Sequence, residues 1–128
     1  MKNLVIEWIS KAEKDYRVAN REFFIEDPVY DAVCFHAQQC IEKYLKALLQ
    51  ENDIFFEKIH DLDVLVEQSK ILIPELLNLK ENLIELSAFA VEIRYPGIES
   101  KKEDAEISIS VMEKVRNIVR KYFKLDME

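Results

Sequence analysis

A single glycine and three prolines in 128 residues leave this chain little material for turns. Hairpins and tight loops depend on residues such as glycine and proline, because these adopt or fix the backbone angles that a change of direction needs. Their scarcity favours a few long helices over many short strands. Hydrophobic residues make up 49% and charged residues 34%, a balance typical of a globular chain with a buried core.

Apolar residues recur at helical spacing through most of the chain, and we expect residues 1–128 to form a single domain. The second helix is the clearest, since its apolar side chains cover an arc of roughly 160° when residues are placed 100° apart. The predicted fold is all-α: an antiparallel up-and-down four-helix bundle with one additional short helix. The four long helices are predicted at residues 3–26, 28–52, 74–94 and 102–124, and the short one at 61–71.

The ends and connections of the helices carry further expectations. Asn3 is a suitable N-cap for the first helix, because an asparagine side chain can accept a hydrogen bond from a free backbone N–H group. Residues 53–59 form a connection, in which Phe55, Phe56 and Ile59 are expected to lie on the core.

Two helices have unusual surfaces. The predicted helix at 74–94 is apolar nearly all round, so one face needs cover from another chain. This predicts a homodimer. The second half of the last helix is basic, which is typical of a solvated face that complements the helix dipole, although a phosphate-binding strip remains open. Its basic residues are Lys114, Arg116, Arg120, Lys121 and Lys124.

Bulk properties exclude several classes of function. A net charge of −7 argues against a large nonspecific nucleic-acid surface but does not exclude a small basic cleft. No apolar run approaches the ~20 residues that cross a bilayer, and the N-terminus lacks the pattern of a signal peptide. We therefore expect a cytoplasmic protein with no membrane contact.

Neither a metal nor a cofactor is predicted. Cys34 and Cys40 are six residues apart in a helix, which rises about 9 Å over that span, too far for a disulfide. They are expected to be free thiols in the core. Glu57-x-x-His60 matches half of a di-iron helix motif, but such a site needs two copies and further helical glutamates.

The segment "EIRYPGIES" holds the only glycine of the chain. Tyr95 to Ile98 fits a type II turn, with Pro96 at its second position and Gly97 supplying the positive φ at its third. Glu92, Arg94 and Tyr95 cluster at this turn. A guanidinium can bind a phosphate, and a neighbouring phenol ring can stack on a base. The segment is therefore interpreted either as a purely structural turn or as a turn that also binds a ligand.

A second candidate set lies on the second helix. His36 is at the edge of the apolar arc, with Lys43 seven residues further along the same face. A histidine at such a boundary is often only half-buried and hydrogen-bonded to a neighbour. It can also reach a cleft or a neighbouring chain. The sequence cannot place His36 beside Arg94.

Four stretches together resemble the HEPN family, and the resemblance covers roughly residues 5–124. They are "WISKAEKDYRVAN", "YDAVCFHAQQCIEKYLKALL", "HDL" and "RYPG", of which the second is the most specific. The resemblance implies a helical bundle that pairs as a homodimer. It also implies a minimal nucleotidyltransferase as partner, in a two-component, toxin–antitoxin-like complex.

Many HEPN proteins are metal-independent ribonucleases with an Arg, four to six intervening residues and a His. There the histidine acts as general acid/base and the arginine holds the phosphate. Arg94 fits the arginine position, but Glu99, Ser100 and Lys101 occupy the three positions where the histidine is expected. The ribonuclease motif is incomplete.

Three hypotheses follow. The favoured one is a noncatalytic dimeric module that binds a nucleotide or RNA phosphate through Arg94, Tyr95 and His36, with Glu92 and Lys43 nearby. The second is a metal-independent ribonuclease in which His36 replaces the missing histidine. The third is a helical adaptor without a ligand.

Overall fold

The computed structural model describes residues 1–58 and 60–127, and these contain five α-helices and no strand. The helices are α1 (Asn3–Phe24), α2 (Tyr30–Glu51), α3 (Leu62–Ser69), α4 (Lys80–Glu92) and α5 (Lys102–Tyr122). A 3₁₀ helix, Pro74–Leu79, precedes α4 directly. The prediction of an all-α bundle with one short additional helix is confirmed.

Helix α2 is the centre of the bundle. It packs along α1 and α5 on two sides and also contacts α3 and α4. Thirteen of its residues are buried, and they include the fully buried side chains Ile41, Tyr44, Leu45 and Leu48. None of the described helices is both long and apolar enough to span a bilayer.

The N-cap of the first helix lies one residue before the predicted one. Lys2, which has extended backbone angles, is the N-cap, and its carbonyl accepts the first helical hydrogen bond from Ile6. Asn3 is therefore already helical and makes no capping bond, so the Asn3 prediction is wrong. The ammonium of Lys2 instead binds the carbonyl of Gln50 and the carboxylate of Asp53 at the end of α2.

The predicted helix at residues 74–94 is two elements. Leu76 and Leu79 are both buried at a spacing of three, which matches the tighter repeat of a 3₁₀ helix. From Lys80 the chain continues as an α-helix that buries Leu83, Leu86 and Ala90. The buried stripe is thus continuous although the helix type changes.

The connection after α2 is only partly as predicted. Phe56 packs against the core, but Phe55 is 81% exposed. Ile54 and Phe56 point inward and Phe55 outward, the alternation that extended chain produces. The predicted burial of Phe55 is wrong, and Ile59 lies outside the described residues.

The basic end of α5 is also only partly solvated. Lys114, Lys121 and Lys124 are exposed as predicted, whereas Arg116 is 2% exposed. Its guanidinium pairs with Glu13 of α1 through two hydrogen bonds of 2.8 Å. Sequence spacing cannot reveal such a partner, because Glu13 comes from another helix.

Candidate functional site

The turn after α4 borders an open cleft with a volume of about 510 Å³. Residues 93–99 and Asp31 of α2 line it. Gly97 has a φ of +95°, which confirms the positive φ predicted there. Arg94 and Tyr95 are both exposed at this cleft, with Tyr95 64% exposed.

Both ends of the turn are anchored to the bundle. Ile93, at the C-terminus of α4, is buried against Val33 and Cys34 of α2. On the other side, the backbone N–H of Ser100 donates to Asp31 Oδ1 over 2.7 Å. The turn therefore holds Arg94 and Tyr95 at a fixed place beside the first turns of α2.

Arg94 lies on an aromatic ring of α2. Its guanidinium carbon is 5.1 Å from the ring centroid of Phe35, within the range of a cation–π contact. Within residues 1–58 and 60–127, no carboxylate forms an ion pair with Arg94, so none of these residues neutralises its positive charge.

His36 contacts the same aromatic ring. The ring centroids of Phe35 and His36 are 5.2 Å apart and nearly perpendicular. His36 Nδ1 is 2.8 Å from Asp15 Oδ1, and Lys43 Nζ is 2.5 Å from Asp15 Oδ2. The buried Asp15 carboxylate thus fixes the imidazole, and Nε2 makes no hydrogen bond with any residue that the structure describes.

The structure brings some predicted site residues together and separates others. Arg94 and Tyr95 share the cleft at the turn, whereas His36 does not line it and contacts Phe35, the ring on which Arg94 lies. Lys43 is directed to Asp15. Glu92 lines a different cavity of about 370 Å³ between α4 and α5.

Residues 5–122 match the HEPN domain family, which covers most of the chain. The chain belongs to the HEPN family. It is 29% identical over 133 aligned positions to a protein of Methanocaldococcus jannaschii named "putative toxin", an alignment that covers 91% of this chain and 86% of that protein. No solved structure matches the chain significantly.

In this HEPN chain, the residues that follow Arg94 have structural tasks. Ser100 donates its backbone N–H to Asp31, and Lys101 is the N-cap of α5. The backbone N–H of Lys101 donates in turn to the Asp104 side chain over 2.8 Å. The positions where a family histidine is expected therefore join the turn to α5.

Two residues of the site were not predicted from the sequence. Asp15 lies between Ala12 and Ala19 on the buried stripe of α1, and a charged residue at such a position is a signal that could have found it. Phe35 gave no signal, because it lies outside the apolar arc of α2. Only the position of the turn shows that its ring supports Arg94.

His60 pairs with a glutamate, and the two cysteines are buried. His60 Nδ1 is 2.9 Å from Glu42 Oε1, and the described residues contain no group of three or more potential ligands. Cys34 and Cys40 are buried free thiols, as predicted. Burial raises the pKa of both thiols, which makes them poor nucleophiles.

Proposed function

We propose that this HEPN protein is a module that binds the phosphate of a nucleotide or an RNA through Arg94. The observation that carries the proposal is the exposed guanidinium of Arg94, which rests on Phe35 without a carboxylate partner among the described residues. A planar guanidinium can donate two parallel hydrogen bonds to a phosphate. Tyr95 offers an exposed ring for a base beside it.

Thermal unfolding with nucleotides tests this proposal. A ligand that binds only the folded protein raises the melting temperature with its concentration. We expect ATP, other nucleotides or short RNA to raise it in the native protein and in Arg17→Ala, which removes another exposed arginine. Arg94→Ala should remain folded and show a smaller shift than the native protein, and equal shifts in all three proteins would remove Arg94 from the site.

A ribonuclease is the second candidate, favoured by the pair of Asp15 and His36. A carboxylate that holds Nδ1 of a histidine orients the ring and leaves Nε2 for proton transfer. Arg94 would hold the phosphate and its developing charge. The family histidine after Arg94 is missing, so we favour the noncatalytic module.

The ribonuclease candidate requires RNA cleavage that resists EDTA and disappears in both His36→Ala and Arg94→Ala. Cleavage that persists in His36→Ala would exclude His36 as the proton carrier. No cleavage and no binding of nucleotides or short RNA in equilibrium dialysis would favour the third hypothesis, a helical adaptor without a ligand.

We further propose that the protein forms a homodimer and acts with a minimal nucleotidyltransferase in a toxin–antitoxin-like pair. The family and the name of the archaeal relative support a toxin–antitoxin-like role. If this is right, expression of the protein alone should slow growth, and co-expression of the nucleotidyltransferase should relieve the effect. Unimpaired growth without the partner would contradict the toxin role.

A further inference from the structure

A second and larger cleft lies on the opposite half of α2. It is formed by the first half of α1, the second half of α2 and the connection that follows, and its volume is about 920 Å³. Pockets that hold small ligands in proteins have volumes of ~300 to 1,000 Å³. The cleft is therefore large enough for a nucleotide.

The floor of this cleft is a fixed, charge-compensated structure. Lys46 is only 5% exposed, and its Nζ is 3.0 Å from Glu42 Oε2. The same Nζ lies 5.4 Å from the ring centroid of Trp8 and 5.8 Å from that of Phe56. Because the Lys46 ammonium already contacts the rings of Trp8 and Phe56, these rings are not available to a cationic ligand.

An aromatic ring stands uncovered at the mouth of the cleft. Phe55 is 81% exposed, yet its carbonyl accepts a hydrogen bond of 2.7 Å from Gln68 Nε2. The backbone that carries the ring is therefore held in place. A flat ligand that stacks on Phe55 and on the edge of the Trp8 side chain would remove apolar surface from water.

The polar groups of the cleft are complementary to an anion. Lys11 and Lys58 have no ion-pair partner in the described part of the chain. Two of the acidic residues of the cleft are already paired, Glu42 with Lys46 and Asp53 with Lys2. Only Glu7 opposes the two free lysines.

The side-chain amides of Gln39 and Gln50 complete the lining. Neither amide takes part in a hydrogen bond with the residues that the structure describes. An amide offers a donor and an acceptor side by side, which is the pairing that the edge of a base requires. A stacking ring, free amides and free lysines together match a base that carries a phosphate.

We propose that this cleft is a second ligand site, which binds one nucleoside phosphate unit, free or as part of an RNA strand. The base stacks at Phe55 and Trp8, and Lys11 and Lys58 hold the phosphate. The inference rests on the proposed function and deepens it. Lys43 connects the two sites, because it lines this cleft and binds the same Asp15 carboxylate as His36.

Trp8 is the only tryptophan in the chain, so its fluorescence reports on this cleft. Adenosine monophosphate and a short single-stranded RNA are titrated separately in EDTA, and the change of Trp8 emission is measured. We expect saturable quenching in the native protein and in Arg94→Ala. Phe55→Ala and the double variant Lys11→Ala/Lys58→Ala should bind at least about tenfold more weakly.

Exposed lysines of α5 provide the matched control, since Lys102→Ala/Lys114→Ala removes the same charge elsewhere. Quenching by both probes indicates that a free nucleotide suffices, and quenching by RNA alone indicates a strand. Absence of saturable quenching with either probe would overturn the second site. An Arg94-dependent melting shift would then still support the proposed function, so the two failures are distinguishable.

Discussion

Arg116 joins three helices from inside the bundle. Its guanidinium on α5 is bidentate to Glu13 of α1, and Glu13 also accepts a hydrogen bond from Tyr44 of α2. The guanidinium lies 4.1 Å from the ring centroid of Tyr16 and donates to the carbonyl of Met127. Burial and the hydrogen bond to Glu113 raise the pKa of Tyr16 to about 12, so this ring stays neutral.

Replacement of Glu13 should reveal how much this pair contributes. Glu13→Gln replaces the charged half of this ion pair by a neutral amide, so we expect the free energy of unfolding to fall by about 1.5 to 3 kcal/mol at neutral pH. Urea unfolding measures the change. Glu106→Gln, at an exposed position of α5, should leave stability within about 0.5 kcal/mol of the native protein.

The stability difference between the native protein and Glu13→Gln should depend on pH. Burial raises the pKa of Glu13, but the hydrogen bonds from Arg116 and Tyr44 and the nearby arginine charges outweigh it and lower the pKa below its usual value of 4.5. The stability from Glu13 is thus present above that value and lost as the pH falls through the lower, folded-state pKa. The difference between native protein and Glu13→Gln should narrow in acid, and a constant difference would contradict this.

Individual charged residues were the least predictable part of the sequence. Arg116 belongs to a run of basic residues that looks solvated, and its burial depends on Glu13 from a distant part of the chain. Asp15 could have been found because it interrupts an apolar stripe. The partners of both residues depend on how α1 packs against α2 and α5, which local spacing does not contain.

At the scale of elements, the turn after α4 depends on its glycine. Gly97 has a φ of +95°, but a Cβ built there meets no atom within 4 Å. Gly97→Ala should therefore cost about 1 kcal/mol through backbone strain alone. Thermal unfolding measures it, and Glu99→Ala in the same segment should have little effect. Equal melting temperatures for the two variants would contradict a strained turn.

The outer face of α4 carries the prediction about assembly. Ile84 and Val91 are 42% and 54% exposed and lie seven residues apart, which puts them on the same face of the helix. If this face is the homodimer interface that we propose, Ile84→Glu should shift the protein from dimer to monomer. Val18→Glu, at a site of similar exposure on α1, should not. A native protein that sediments as a monomer at micromolar concentration would contradict the homodimer.

Helix positions were predictable from sequence because periodicity is a local property. The predicted starts of α1 and α5 at residues 3 and 102 coincide with those of the structure. The division of residues 74–94 was not predictable, because leucines at spacings of three and four fit both helix types. Tertiary packing of Leu76 and Leu79 decides between them.

At the scale of the whole molecule, α2 organises the functional surface. Its first half carries Phe35 and His36 beside Arg94, and its second half carries Lys46 in the larger cleft. The helix rises ~1.5 Å per residue, so some 15 Å separate His36 from Lys46 along its axis. The sequence predicted the residues at the turn, but the contact of Arg94 with Phe35, the neighbour of His36, follows only from the packing of α4 against α2.

The strongly negative chain predicts that phosphate binding is local. With a net charge of −7, the protein offers no general attraction to RNA, so affinity should depend on a few cations. The logarithm of the binding constant falls linearly with the logarithm of the salt concentration. Each phosphate of a single strand that the protein contacts contributes about −0.7 to the slope of this line. The native protein should therefore show a shallow salt dependence of RNA binding. In Arg94→Ala, which removes one phosphate contact per chain, the slope should decrease in magnitude by about 0.7.

The central claim is that Arg94 holds a phosphate, and binding of a short RNA in EDTA tests it most directly. The affinities of the native protein, Arg94→Ala and Arg17→Ala are compared at one salt concentration. All three proteins carry Phe55→Ala, which weakens the second cleft, so that the turn is measured alone. A hydrogen bond to a charged group contributes about 1.5 to 3 kcal/mol, so Arg94→Ala should bind roughly tenfold to a hundredfold more weakly. Arg17→Ala should bind as the native protein does. Equal affinity in all three proteins would contradict the account.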